Sequence, residues 1–302
     1  MIISILGNWD KAKAFHTVFL EKKINTYQKK FSNNATKHNY IDIKVNEFIT
    51  IISPLVIESS KNDLLNSICI YNEFVNTLDA SDVPAFKKKI KYIFNYDSFI
   101  KKNGVWNAYE LCKLSITKTC PYCNQAYAFT YQKYSKGFRP TLDHFYSKDN
   151  YPHLALSLNN LIPSCNTCNS TLKGTVDFYK NKHLHPLWDK ENLTFRLLDK
   201  RNDTHTGNQV NYSSETHHLD ITLEDYSCTS SKNSLETFML NERYEFLINE
   251  AIDFANLKQL YDITKGAGIK HFNELSEESI LRFDKNNYQK YLLGKLFRDL
   301  YH

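Results

Sequence analysis

Four cysteines in two Cys-x-x-Cys turns, Cys120/Cys123 and Cys165/Cys168, constrain this chain more than any other feature. Each turn presents two sulfurs to one side, and two turns brought together close a tetrahedral shell around a borderline-soft ion such as Zn2+. A shell of four thiolates leaves no open position, so the pattern predicts a structural zinc. Nothing else in the chain points to disulfides, and a thioredoxin-like turn would leave the second pair without a role. Cys69, Cys112 and Cys228 are left over, which predicts small buried hydrophobes in a protein of the reducing cytoplasm.

The segment between the turns carries further polar groups. Pro140 to Phe145 alternates about Asp143-His144 and predicts a short strand, and Leu158 to Cys165 predicts a loop entering a second strand. Cys168 to Gly174 predicts a helix start cut short at the glycine. His144 and Asn169 approach one another only if the strands pair as a hairpin and the helix folds back. Taken alone, an Asp-His dipeptide more often marks a solvated strand end than an active site.

The order of these residues resembles the HNH endonucleases, the ββα-metal nuclease family, in their zinc-stapled form. The resemblance runs from Thr119 to Gly174 and includes Cys-Pro-Tyr-Cys-Asn, Leu-Asp-His-Phe-Tyr and Asn-Leu-Ile-Pro-Ser-Cys-x-x-Cys-Asn. More narrowly, the wording is similar to the PtuB group of Septu-type anti-phage systems, which works beside an ATPase. The resemblance implies His144 as general base, and Asp143 and Asn169 as ligands of a catalytic Mg2+ or Mn2+. It also implies Asn160 as the residue that holds the loop presenting His144. Asn169 stands where many members have histidine, which suits a hard, oxygen-preferring ion. For Lys173 a solvated helix position and a substrate-phosphate contact are equally good readings. A neutral imidazole can take a proton from water near neutral pH, so in-line hydrolysis to a 5′-phosphate and 3′-hydroxyl is the expected chemistry. On RNA, the same groups would instead activate the 2′-hydroxyl.

The expected fold is α+β: a mainly helical protein around a central zinc-stapled ββα-metal module. The expected division is a helical region over 1–110, the nuclease module over 111–190 and a strand-helix region over 191–302. No run of about 18 apolar residues spans a membrane, and the first residues lack the charged start of a secretory signal. Residues 1–118 carry 17 basic and 11 acidic side chains, residues 119–190 carry 8 and 4, and residues 191–302 carry 13 and 18. Phosphate contacts are therefore expected in the first two regions, and protein contacts in the acidic third.

Apolar periodicity predicts helices over Ala12 to Lys30, Leu64 to Leu78 and Val83 to Phe94, with a cap at Ser81-Asp82-Val83-Pro84. Lys87, Lys88, Lys89 and Lys91 form either a solvated face or a backbone contact to nucleic acid. His183 and His185 are expected to hydrogen-bond locally, and His205, His217 and His218 to lie at the surface. Leu193 to Leu198 and Leu219 to Leu223 predict strands. Glu236 to Tyr261 and Glu277 to Leu300 predict helices whose stripes form core, or else a homodimer face or a docking face for an ATPase partner. No Walker-type loop occurs, so the chain itself is not expected to hydrolyse ATP. Two other functions fit: an HNH nuclease that cuts RNA, including tRNA, and a non-catalytic zinc module that binds nucleic acid or protein.

Overall fold

The computed structural model describes residues 2–33, 37–101, 104–134, 136–201, 212–268 and 274–301. It is an α+β structure in which helices surround small antiparallel hairpins. The first layer is α1 (Asp10–Asn33), α2 (Tyr40–Glu58), α3 (Lys61–Asn76) and α4 (Val83–Ile93). Capping boxes start two of these helices: Asn39 with Asp42 for α2, and Ser60 with Asp63 for α3, each pair satisfying two otherwise orphaned backbone donors. The cap expected before α4 takes another form. Pro84 lies in the first turn, but the Asp82 side chain makes no capping bond.

Periodicity singles out α1, α3 and α4 but not α2. That helix is rich in Ile, with six of its 19 residues, and contains Pro54, a composition that disfavours a helix. Packing decides the matter, because Ile41, Val45, Phe48, Ile49, Ile52 and Val56 fall on one face and are buried. Phe48 meets Phe74 and Phe86 edge-on or tilted, at ring separations of 5.4 and 5.5 Å. Two lysines of the α4 run are tied to carboxylates, Lys89 to Asp42 at 2.5 Å and Lys91 to Asp149 at 2.9 Å.

Short helices α5 (Tyr96–Phe99) and α6 (Ala108–Lys113) lead into the central region. There β1 (Tyr131–Lys133) pairs with β2 (Lys136–Phe138), and β3 (Thr141–His144) pairs with β4 (Leu161–Ser164). A π-helical turn, Thr167–Lys173, follows β4 and ends at Gly174, whose φ of 49° is left-handed. The first residues of the chain also lie in this region. Ile2 and Ile3 donate to the Pro121 carbonyl, Trp9 Nε1 donates to the Leu161 carbonyl, and Asn8 Oδ1 accepts from Ser115, Ile116 and Thr117.

Beyond the central region, β5 (Leu193–Asp199) pairs with β6 (His217–Leu223), close to the expected strands. His217 opposes Asp199 in that register and is buried, contrary to its expected surface position, because the preceding turn folds over it: Thr216 and Ser213 meet its Nδ1, and the Tyr212 ring lies edge-on at 5.1 Å. His218 is half-buried, and His205 lies outside the described residues. The helix expected over Glu236 to Tyr261 is broken into α7 (Thr229–Thr237), α8 (Leu240–Glu245) and α9 (Ile248–Gly266), with Met239 left-handed at φ 49°.

The second expected helix is likewise interrupted, leaving Glu277–Leu281, a 3-10 stretch Lys285–Lys290 and Gly294–Asp299. Gly294 is required there, since a Cβ would lie 1.9 Å from the Tyr288 carbonyl oxygen. These breaks let the stripes turn inward, so that Phe238, Leu240, Tyr244, Phe254, Tyr288 and Leu296 join one core with residues of α1–α4 and the central region. Among the described residues no helix is long and apolar enough to cross a membrane.

Candidate metal centre and active site

The first Cys-x-x-Cys turn lies just before β1 and the second at the end of β4, and folding closes them onto one point. The four Sγ atoms lie within 4.8 Å of one another, and among the described residues this is the only such cluster of His, Cys, Asp or Glu donors. Cys123 and Cys165 Sγ are 3.9 Å apart. Tetrahedral ligands at zinc–sulfur bond length would stand about 3.8 Å apart, so the donor set fits a zinc ion. The backbone amides of Gln125 and Cys168 point at Cys123 and Cys165 Sγ, at 3.5 and 3.4 Å. Burial pushes the Cys120 thiol up, while hydrogen bonds from neighbouring thiols pull Cys165 down. Ligation requires thiolates, so zinc would displace the protons these sulfurs share.

Two residues supporting this cluster come from α8 and left no mark in the sequence beyond an apolar stripe. Arg243 Nη1 lies 3.4 Å from Cys168 Sγ and would offset the surplus negative charge of a four-thiolate site. The Tyr244 hydroxyl donates to the Cys123 carbonyl at 2.7 Å. Asn124, left-handed at φ 53°, donates to the Tyr291 carbonyl and accepts from the Lys295 amide, tying the first turn to the C-terminal region. None of the seven cysteines is in a disulfide. Cys112 is buried as expected, but Cys69 is exposed, with the Tyr179 hydroxyl 3.6 Å away.

The β3–β4 hairpin aligns Asp143 with Ile162 and His144 with Leu161. Asn160, fully buried, holds the loop between the strands. Its Oδ1 accepts from the Tyr146 amide at 2.7 Å, and its Nδ2 donates to the Tyr146 and Leu154 carbonyls. The same loop supplies the carbonyl of Ala155, to which His144 Nε2 donates at 2.9 Å. That bond leaves Nδ1 with the lone pair, and burial lowers the imidazole pKa to about 4, so His144 is neutral at pH 7. His144 is 8% exposed, with the Tyr96 ring of α5 edge-on at 4.3 Å.

Asp143 lies beneath His144 in a different setting. Lys173 Nζ donates to both of its oxygens, at 2.7 and 2.9 Å, and to the His144 and Phe145 carbonyls. The Tyr122 hydroxyl donates to Oδ2 at 2.6 Å. Lys173 is 3% exposed and also sits 4.5 Å from the Phe178 ring centre. It is therefore neither a solvated helix lysine nor directed toward a substrate phosphate. Asn169, half-buried, lies on the π-helical turn that carries Lys173.

A divalent ion at Asp143 and Asn169 does not fit this arrangement as it stands. An ammonium already occupies the Asp143 carboxylate, and a cation brought beside it would be repelled in a site of low dielectric. The paired role of Lys173 was hidden because spacing places a side chain on a turn but not the carboxylate beneath it. Tyr122, the variable residue of the first cysteine turn, gave no signal either. His185 accepts locally from the Leu187 amide, as expected, while His183 donates to the nearby Asn181 carbonyl and also bonds the distant Thr237 hydroxyl at 2.8 Å.

One curated protein that the chain resembles is the Septu protein PtuB of Bacillus thuringiensis. The two are 36% identical over 58 residues, 19% of this chain and 22% of that protein. The match thus spans about a fifth of the relative's length. No family model matches the chain, and no solved structure does.

Proposed function

We infer that the chain is an HNH-type endonuclease of a bacterial anti-phage system, hydrolysing phosphodiester bonds, with DNA favoured over RNA. The setting of His144 carries this reading: a neutral imidazole at the end of a hairpin, fixed by a loop carbonyl, beside Asp143. Similarity to a Septu protein supports the defence role and a partner from the same defence system, which the family resemblance makes an ATPase. In the proposed step, His144 Nδ1 takes a proton from water as the water oxygen attacks phosphorus in line. The P–O3′ bond breaks and the departing 3′ oxygen takes a proton from solvent, leaving a 5′-phosphate and a 3′-hydroxyl.

Asn160 and the Ala155 carbonyl act on the ring rather than the substrate, setting its tautomer and direction. Mg2+ or Mn2+ would supply charge neutralisation at the phosphate. The step described does not pass through that ion, because Lys173 holds the Asp143 carboxylate. The Asp143–Lys173 pair favours a second reading, a non-catalytic zinc module that binds nucleic acid or protein. Incubating the full chain with plasmid and with RNA, plus Mg2+ or Mn2+, separates the two, repeated with any ATPase found encoded beside it. Cleavage to 5′-phosphate ends is expected, and intact nucleic acid under every condition would overturn the nuclease reading.

A further inference from the structure

A groove of about 1040 Å³ lies between α1 on one side and α4, α5 and the segment 104–106 on the other. Six aromatic residues line it, among them Phe15, Tyr92, Phe99 and Trp106. Phe15 is 60% exposed and Tyr92 75%, a large aromatic area left open to water. Phe15 and Trp106 stack at 5.4 Å with their planes 20° apart. Lys22, Lys23 and Lys30 follow the α1 side over about 12 Å. No carboxylate is among the described lining residues.

Aromatic faces beside a row of lysines match what an unpaired nucleic-acid strand needs: platforms for bases and cations for its phosphates. A docked apolar helix would better suit aliphatic walls, and here aliphatic residues are the minority. We propose that this groove binds single-stranded nucleic acid, its bases on Phe15, Tyr92 and Trp106 and its phosphates along Lys22 and Lys23. The groove also adjoins the candidate active site. Asn95, Ser98 and Phe99 form part of its wall, and Tyr96 between them lies against His144. Naming the bound strand as substrate rests on the nuclease reading; its binding does not.

The test is fluorescence anisotropy of a labelled oligothymidylate of about 12 nucleotides with the full chain. Tyr92→Ala and Phe15→Ala should each weaken binding about tenfold. Both side chains are largely exposed, so the fold is kept, whereas Trp106 donates to His16 Nδ1 and is left in place. Lys22→Glu with Lys23→Glu should weaken binding and flatten its log–log salt dependence by about 1.4. Blunt duplex of equal length should compete poorly. No binding, equal binding by the aromatic variants, or capture of an acidic amphipathic peptide instead of the oligonucleotide would overturn the proposal. Binding lost on Tyr92→Ala, with no cleavage by the wild type under any condition, including beside an ATPase partner, would keep the groove and remove the nuclease.

Discussion

The cysteine cluster and the Asp143 site lie close in sequence, and both bury groups that attract cations, yet they solve the problem differently. At the cluster four sulfurs converge with no cationic side chain among them, and Arg243 approaches Cys168 and Cys123 from outside. At Asp143 the counter-charge is internal, since Lys173 reaches down from the π-helical turn and takes both oxygens. The first arrangement calls for an ion to complete it. The second is already complete, so its lysine must withdraw before any metal enters. Ligand identity alone therefore does not make a metal site; the neighbouring charges decide whether there is room for one.

The largest expected effect tests the first half of that contrast. Cys120→Ser should abolish zinc in the purified protein and cost on the order of 10 kcal/mol of metal-linked folding energy. Elemental analysis with circular dichroism reads both, and a folded, zinc-loaded variant would break the comparison. Lys173→Met tests the second half. Leaving Asp143 buried without its partner should cost about 3–5 kcal/mol in urea unfolding, and adding Asp143→Asn should recover part of the loss. Additive losses in the double variant would show that the two do not act as a pair.

Acid should loosen the whole assembly through its buried histidines. His16 donates to the Leu156 carbonyl and accepts from Trp106, so both nitrogens are used by the neutral ring, and burial lowers its pKa to about 4. A histidine depressed in the folded state binds its proton more readily when unfolded. Its contribution is thus full above pH 6.5 and is lost as pH falls toward about 4. Charging it costs on the order of 3 kcal/mol, so Tm should fall steeply across that window. His16→Gln should lower stability at pH 7 and make the fall shallower, and an unchanged slope would count against the role given to His16. The smallest effect belongs to Arg243→Gln, which should weaken zinc retention about tenfold against a chelator while leaving the fold in place.

Sequence reading went furthest where chemistry is local. The two cysteine turns, the hairpin between them and the stop at Gly174 are all matters of residue type and short spacing, and the structure places them as expected. Longer-range features were hidden. α2 looks strand-forming and becomes a helix because α1, α3 and α4 bury its face. The breaks at Met239 and Leu293 require left-handed backbone at residues that do not advertise it, and they turn Arg243 and Lys295 toward the central region. Trp9, Tyr96 and Tyr122 reach the site from distant positions or from a variable place in a motif, and no periodicity marks them.

On the proposed reading the sulfur cluster holds the fold and His144 does the chemistry, and His144→Ala tests that division most directly. The purified variant should keep its zinc and its melting temperature within a few degrees while losing nucleic-acid cleavage. Cleavage at the wild-type rate, or loss of zinc together with activity, would contradict it.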